Sequence, residues 1–369
     1  MTFVLGLAIF FTAVHLIQHI CYFVAILKSP PSPSHLEEKD LPSVSVCMSA
    51  RDEEACIELA LEALSKLDYP TDKLEIWIAD DQSSDKTPEI IQSYADKFEH
   101  IHFYPITNKF KGVRGKQNAL ANVIKESDTE LIAIVDADIE VKPKWLRELT
   151  SYMDDGTSMV CGVTAVKYTG SFTSMAQHFD WVYAACMFKA HSELGIPISG
   201  LGNNQLYRRS AYEELGGYEN LRYSVNEDHR IFSEMCETRG HGYKQVLTYN
   251  GTNLSMPIDT FMGAVRQRYR WLKGGKDVVL HNQLAMTLPF PTKTLVIIAI
   301  IINWKIGLIL LSSTLVVDAV MRVLISRRIG VASNILFLPF WYVNTMVQGI
   351  LIPLCFFFAK KITWRGRKV

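Results

Sequence analysis

Leu131-Ile132-Ala133-Ile134-Val135-Asp136-Ala137-Asp138 is the stretch on which the fold turns. Five apolar residues followed by two alternate carboxylates read as a buried strand that delivers charge at its carboxyl end. The same design recurs upstream. Val44-Ser45-Val46-Cys47-Met48 and Ile101-His102-Phe103-Tyr104 are strand-like, and Leu74-Glu75-Ile76-Trp77-Ile78-Ala79 ends in Asp80-Asp81. Helical stretches lie between them. Residues 52–66 place Ile57, Leu61 and Leu64 at helical spacing, and Lys116 to Ile124 forms another helix. Ser84-Asp85-Lys86-Thr87-Pro88 opens a third, with Pro88 in its first turn and Ser84, Asp85 or Thr87 as its cap. Strand and helix alternate over about 120 residues, which predicts an α/β fold with a mainly parallel sheet. Ligands bind beyond the carboxyl ends of such strands, where the acidic pairs lie.

The 369 residues suffice for one large domain or two ordinary ones. Hydrophobic residues make up 49% and charged residues 21%, which excludes a disordered chain. Thirty-eight basic residues balance 38 acidic ones, so a nucleic-acid partner is not expected. The seven cysteines are scattered and form no C-x-x-C pair, which reads as reduced thiols. A mean hydropathy of +0.10 is high for a soluble protein.

The apolar mass sits at the two ends. Residues 3–27 contain no Lys, Arg, Asp or Glu, long enough to cross a bilayer. A cleaved signal peptide would carry a basic start and a small-residue cleavage site; the run reads instead as an uncleaved anchor. Leu295 to Val317 and Ile335 to Phe358 are two further runs, joined by residues 318–334 as a helical hairpin. Three spans are therefore expected. Lys305 lies near the centre of the middle run, facing other helices or a wet groove. The third run carries Pro339 and Pro353. The tail has Lys360, Lys361, Arg365, Arg367 and Lys368, against Arg322, Arg327 and Arg328 in the connector. The positive-inside rule then puts the tail and the central region in the cytoplasm and the connector outside. His15, Gln18 and His19 share one face of the first span. Two His without a carboxylate make a weak metal site, and helix–helix hydrogen bonding is the favoured reading.

Asp136 and Asp138 can present oxygens to Mg²⁺ or Mn²⁺ bridging a diphosphate, although Asp is also common in turns. Asp80 and Asp81 end a strand of the same sheet and strengthen the metal or nucleotide reading. Glu227-Asp228 offers a general base, or a plain acidic surface pair. The Gly200–Arg209 segment is a glycine-punctuated loop that permits close backbone approach to a sugar, without the ending of a phosphate-binding P-loop. Gln267-Arg268-Tyr269-Arg270-Trp271 suits a diphosphate or an interfacial helix.

In order and spacing, these segments resemble a membrane-bound family 2 glycosyltransferase with the GT-A fold, the group of ceramide glucosyltransferases and of cellulose, chitin and hyaluronan synthases. The motifs are Ser49-Ala50-Arg51-Asp52-Glu53-Glu54, Asp80-Asp81-Gln82-Ser83-Ser84-Asp85, Gly115-Lys116-Gln117-Asn118-Ala119-Leu120, Asp136-Ala137-Asp138, the Gly200–Arg209 loop, Glu227-Asp228 and Gln267–Trp271. Asp52 departs from the family's usual Asn. The resemblance implies that Ala50, Arg51, Glu53, Asp81, Lys116 and Asp136 hold the nucleotide donor. It implies Asp136 and Asp138 for Mn²⁺ or Mg²⁺, and Asp228 as the base of an inverting displacement. Gly202, Asn203, Asn204, Glu227, Gln267, Arg268, Arg270 and Trp271 would serve the diphosphate and acceptor. The implied organisation is an anchor (1–28), a linker (29–42), a cytoplasmic catalytic domain (43–275), an interfacial segment (276–294), a membrane hairpin (295–358) and a basic tail (359–369).

Three spans favour transfer of one sugar from a nucleotide-sugar donor, UDP-linked by family default, to a lipid in the bilayer. Synthesis of a growing glycan is the alternative. An inactive binding relative is disfavoured because every acidic motif survives, and a transporter because no paired repeats flank the core. An inner (plasma) membrane location is expected if the source is bacterial.

Overall fold

The computed structural model describes residues 1–30, 32–199, 201–274, 279–332 and 334–358, with two short pieces, 363–364 and 367–368. Gly200 and the tail residues Lys360, Lys361 and Arg365 lie outside the described residues.

The chain opens with α1 (Thr2–Lys28). Next come β1 (Val44–Ala50), α2 (Ile57–Leu64), β2 (Leu74–Asp80), α3 (Thr87–Lys97), β3 (Ile101–Pro105), α4 (Lys116–Ile124) and β4 (Leu131–Asp136). The middle contains β5 (Ile139–Glu140), α5 (Trp145–Thr150), β6 (Thr157–Cys161), β7 (Val163–Val166) and α6 (Phe172–Glu193). There follow β8 (Gln205–Arg208), α7 (Arg209–Glu214), α8 (Glu227–Phe232), β9 (Gly242–Gln245) and β10 (Thr252–Ser255). The last helices are α9 (Phe261–Gly274), α10 (Leu280–Thr287), α11 (Pro289–Ile302), α12 (Trp304–Ile329) and α13 (Leu338–Phe358).

The main sheet runs β3-β2-β1-β4-β8-β6-β9. β3, β2, β1 and β4 are parallel, and β8 is antiparallel to both its neighbours. Period-two alternation splits β4 between two cores: Leu131, Ala133 and Val135 face one side, Ile132 and Ile134 the other. The register sets Ala50 beside Asp80 and Ser49 beside Asp136, so three strands end at one level. A second sheet, β5-β10-β7, pairs Ser255 with Ile139, directly after Asp138. The Gly200–Arg209 segment is therefore not all loop; its second half is β8.

α6 joins the sheet domain to the apolar helices. Tyr22 and Ile26 of α1, Val182 and Cys186 of α6, and Met321 and Ile325 of α12 share one core.

Among the described residues, four helical stretches are long and apolar enough to cross a membrane: Thr2–Lys28, Asn282–Ile302, Trp304–Ile329 and Ile335–Cys355. The expected middle span, 295–317, is divided at Asn303. That residue leaves helical geometry (φ −148°) and its side chain accepts the Ile306 N–H, capping α12. Three consequences follow. Lys305 stands exposed at a helix start over the Trp304 ring, not mid-span against other helices. The expected connector 318–334 is mostly the second half of α12. And its end is not remote from the central domain: Arg328 donates to Ile26 O (3.4 Å), Ala332 O lies 3.0 Å from His178 Nε2, and Gly330 abuts Tyr249. The segment expected to be interfacial, 276–294, falls mostly inside the second candidate span, which opens at Asn282.

Candidate active site

The turn after β1 and the turn after β2 are stitched together. Asp52 N–H donates to Ser83 Oγ (3.0 Å), Ser84 N–H to Asp52 Oδ1 (2.7 Å) and Glu53 N–H to Thr87 Oγ1 (2.8 Å). Arg51 Nη1 donates to Asp81 O at 2.6 Å. Ala50, Arg51, Glu53 and Asp81 thus share one cradle. Asp52 sits at φ 51°, a region that Asn and Asp both tolerate, so the departure from Asn leaves the turn intact. Helix α3 is capped by none of the expected residues in the strict N-cap position, but Asp85 Oδ1 accepts the Thr87 N–H.

Lys116, the first residue of α4, is the centre of the site. Its Nζ lies 2.6 Å from Asp136 Oδ1 and 2.8 Å from Glu227 Oε1. It also reaches Gly202 O at 3.5 Å. Burial alone would lower the Lys116 ammonium; Asp136, Glu227 and Asp228 outweigh it and hold the charge well above its ordinary range.

Asp138 faces the same space. Burial, then the Asp136 carboxylate, push it up to about 6, against the hydrogen bond that Ser255 Oγ donates to Oδ2 (3.1 Å). Two neighbouring carboxylates, with hard oxygen donors only, fit a divalent cation such as Mn²⁺ or Mg²⁺. Its remaining oxygens would come from a diphosphate.

Asp228 is held from two sides. Gly202 N–H donates to Oδ2 (3.0 Å) and His229 N–H to Oδ1 (2.8 Å). Burial and then Glu227 raise its proton affinity, partly offset by Lys116. A carboxylate of raised basicity, fixed in place, is suited to take a proton from a hydroxyl.

Other expected residues divide between this centre and its supports. Asn203 Oδ1 accepts from Thr164 Oγ1 (2.9 Å), and Asn203 O accepts from Asn253. Asn204 is fully buried, donates to Val163 O and Gly251 O, and accepts from Trp145 Nε1. It anchors the turn that carries Gly202. Arg268 is engaged within the protein. Its guanidinium pairs with Asp180, whose other oxygen accepts from Trp341 Nε1 at 2.6 Å. It ties α9 to α6 and α13. Trp271 remains near the centre: its ring meets Trp181 edge-on at 5.7 Å, and its carbonyl accepts from Asn226, next to Glu227. Gln267 and Arg270 are half-buried on the same helix. The sequence reading missed Ser255 and Asn226. Ser255 has no local motif; only the pairing of β10 with β5 brings it to Asp138.

The sequence profile described as glycosyl transferase family 2 matches residues 45–216, and that described as glycosyl transferase family group 2 matches residues 131–364. The chain is a family 2 glycosyltransferase.

The glycosyltransferase is 26% identical, over 68% of its length and 55% of the relative's, to beta-monoglucosyldiacylglycerol synthase of Trichormus variabilis. It is 25% identical to poly-beta-1,6-N-acetyl-D-glucosamine synthase of Staphylococcus epidermidis, over 74% of its own length and 65% of that protein's. The chain thus spans little more than half the length of curated relatives it matches. The mannosyltransferase PcManGT from Pyrobaculum calidifontis, solved in complex with GDP-Man and Mn²⁺, superimposes with a TM-score of 0.63 at 19% identity. The match covers 97% of this chain and 99% of that one, so the GT-A fold and the apolar helices belong to one shared architecture.

For this glycosyltransferase, Arg268→Ala should act on stability. Loss of a charged hydrogen bond should destabilise the fold by roughly 1.5–3 kcal/mol. A lowered thermal midpoint with an unchanged donor KM is the expected outcome; a raised donor KM at unchanged midpoint would return Arg268 to the binding site.

Proposed function

We propose that the enzyme transfers one sugar, with inversion, from a UDP-sugar to the hydroxyl of a membrane lipid. The observation that carries this reading is the Lys116 clamp. One ammonium bridges Asp136, on the donor side, and Glu227, adjacent to the base Asp228, so donor and acceptor carboxylates lie around one point. The acceptor hydroxyl gives its proton to Asp228 as its oxygen bonds to the anomeric carbon, and the bond from that carbon to the diphosphate breaks. Asp136 and Asp138 would hold Mn²⁺ or Mg²⁺, which supplies charge stabilisation for the leaving diphosphate. Lys116 adds a fixed positive charge at the same place.

The lipid acceptor is supported by the position of α9. Through Trp271 and Asn226 it touches the segment that carries the base, and through Arg268 and Asp180 it is tied to α13, among the apolar helices. A lipid hydroxyl arriving at bilayer depth meets the site along this helix. The similarity to beta-monoglucosyldiacylglycerol synthase points the same way.

The domain is placed on the cytoplasmic side, with the four apolar helices as membrane spans and an inner membrane location if the source is bacterial. The support is that Lys28 of α1 and Arg327 and Arg328 of α12 gather at helix ends that meet the domain.

The test uses protein in lipid nanodiscs with Mn²⁺ and radiolabelled UDP-sugars. Label extracted into organic solvent is the expected result. Label retained in a long glycosidase-sensitive polymer would replace the lipid with a growing glycan, the product class named for the staphylococcal relative.

A further inference from the structure

A second cluster of metal-ligating side chains lies between the apolar helices α1 and α12. The buried face of α1 carries Ala8, Thr12, His15, His19 and Tyr22 at helical spacing. His15 Nε2 is 3.1 Å and His19 Nε2 is 3.2 Å from the same atom, Asp318 Oδ1, on α12. The carboxylate that the first span lacks in sequence is supplied from 303 residues away. All three residues are at most 4% exposed. Polar groups are rare at this depth unless they serve a purpose.

The hydrogen bonds restrict what can lie between them. His19 Nδ1 is 2.9 Å from His15 O. A carbonyl only accepts, so Nδ1 carries the proton. A neutral His19 then aims a bare lone pair from Nε2 at a carboxylate oxygen that also offers only lone pairs. A positive centre is needed between the two. An imidazole whose other nitrogen is bound to a backbone carbonyl is the usual state of a metal ligand. The separations of 3.1 and 3.2 Å are close to the edge, about 3.3 Å, of a tetrahedron with metal–ligand bonds near 2.0 Å. Asp318 Oδ2 faces Lys293 Nζ at 3.7 Å, so only Oδ1 is directed at the two imidazoles.

We propose that His15, His19 and Asp318 ligate a transition-metal ion of the zinc class that fastens α1 to α12. This site is distinct in chemistry from the oxygen-only pair Asp136 and Asp138: imidazole nitrogens select zinc-class ions over Mg²⁺ or Mn²⁺. Its role is structural. α6, which contributes to the core shared by α1 and α12, is held by both helices, so the staple fixes the seat of the catalytic domain on its membrane helices.

The test is metal analysis of the full chain in nanodiscs, prepared from zinc-supplied cells, before and after a brief EDTA wash. About one equivalent of zinc per chain should survive the wash. It should persist in Asp138→Asn and be lost in His19→Ala and Asp318→Asn. Protein from cobalt-supplied cells should show visible absorption of a tetrahedral Co²⁺ ion. Wild-type protein without stoichiometric zinc before the wash would overturn the proposal, whatever the variants do, and leave a proton between His19 and Asp318. Equal zinc in wild type and His19→Ala would overturn it as well.

Discussion

Asp228→Asn should bind UDP as the native enzyme does and transfer sugar roughly 10²–10⁴-fold more slowly. The amide keeps the size of the side chain and can still accept an N–H from Gly202 or His229, so the loop and α8 stay in place. What it loses is the ability to take a proton. The pH profile gives an independent check. Burial and Glu227 raise the proton affinity of Asp228, and the base works only when deprotonated. Activity should therefore fall, as pH drops, through a midpoint above the ordinary aspartate value of about 3.9. Residual turnover in the Asn variant should lack that acid limb. Calorimetry with UDP and a pH series of kcat/KM decide the matter; retained turnover with the same acid limb would remove Asp228 from the reaction.

Gly202→Ala should lower kcat by about 10²-fold while UDP affinity stays within about twofold. A Cβ at Gly202 would lie 2.5 Å from Asp228 Cβ and 2.8 Å from Oδ2. Cβ is not the free end of a flexible side chain, so the base on α8 or the Gly202 turn must move. A displacement approaching 1 Å is enough for a loss of that order. Unchanged far-UV circular dichroism would show that the fold survives. Native kcat in this variant would mean that the contact between Gly202 and the base does not govern the reaction.

The half of the fold up to Asp136 was legible because each strand is a short apolar run with turn residues or carboxylates at its end. β1 to β4 and α4 stand where hydrophobic pattern placed them. Asp136, Asp138, Lys116 and Asp228 were legible as motif residues, and the structure brings Lys116 together with Asp136, Glu227 and Gly202.

What was hidden depends on contacts distant in sequence. Asn303 looks like one polar residue inside an apolar run; as a cap it ends one helix and starts another. That break moves Lys305 to a helix end and folds the connector back to the domain. Asn204 and Arg268 look available for substrate, because short motifs do not reveal that Trp145 and Asp180 will engage them. Ser255 reaches Asp138 only through strand pairing. Asp318 reads as the first residue of a connector until α12 carries it in beside His15 and His19.

The most direct measurement of the central claim, a single displacement driven by Asp228, is the anomeric configuration of the product. An α-linked UDP-sugar should give only β-linked product, read from the anomeric proton coupling by NMR. Product that keeps the α configuration would contradict the account, because retention requires a chemistry other than one attack by a hydroxyl that Asp228 deprotonates.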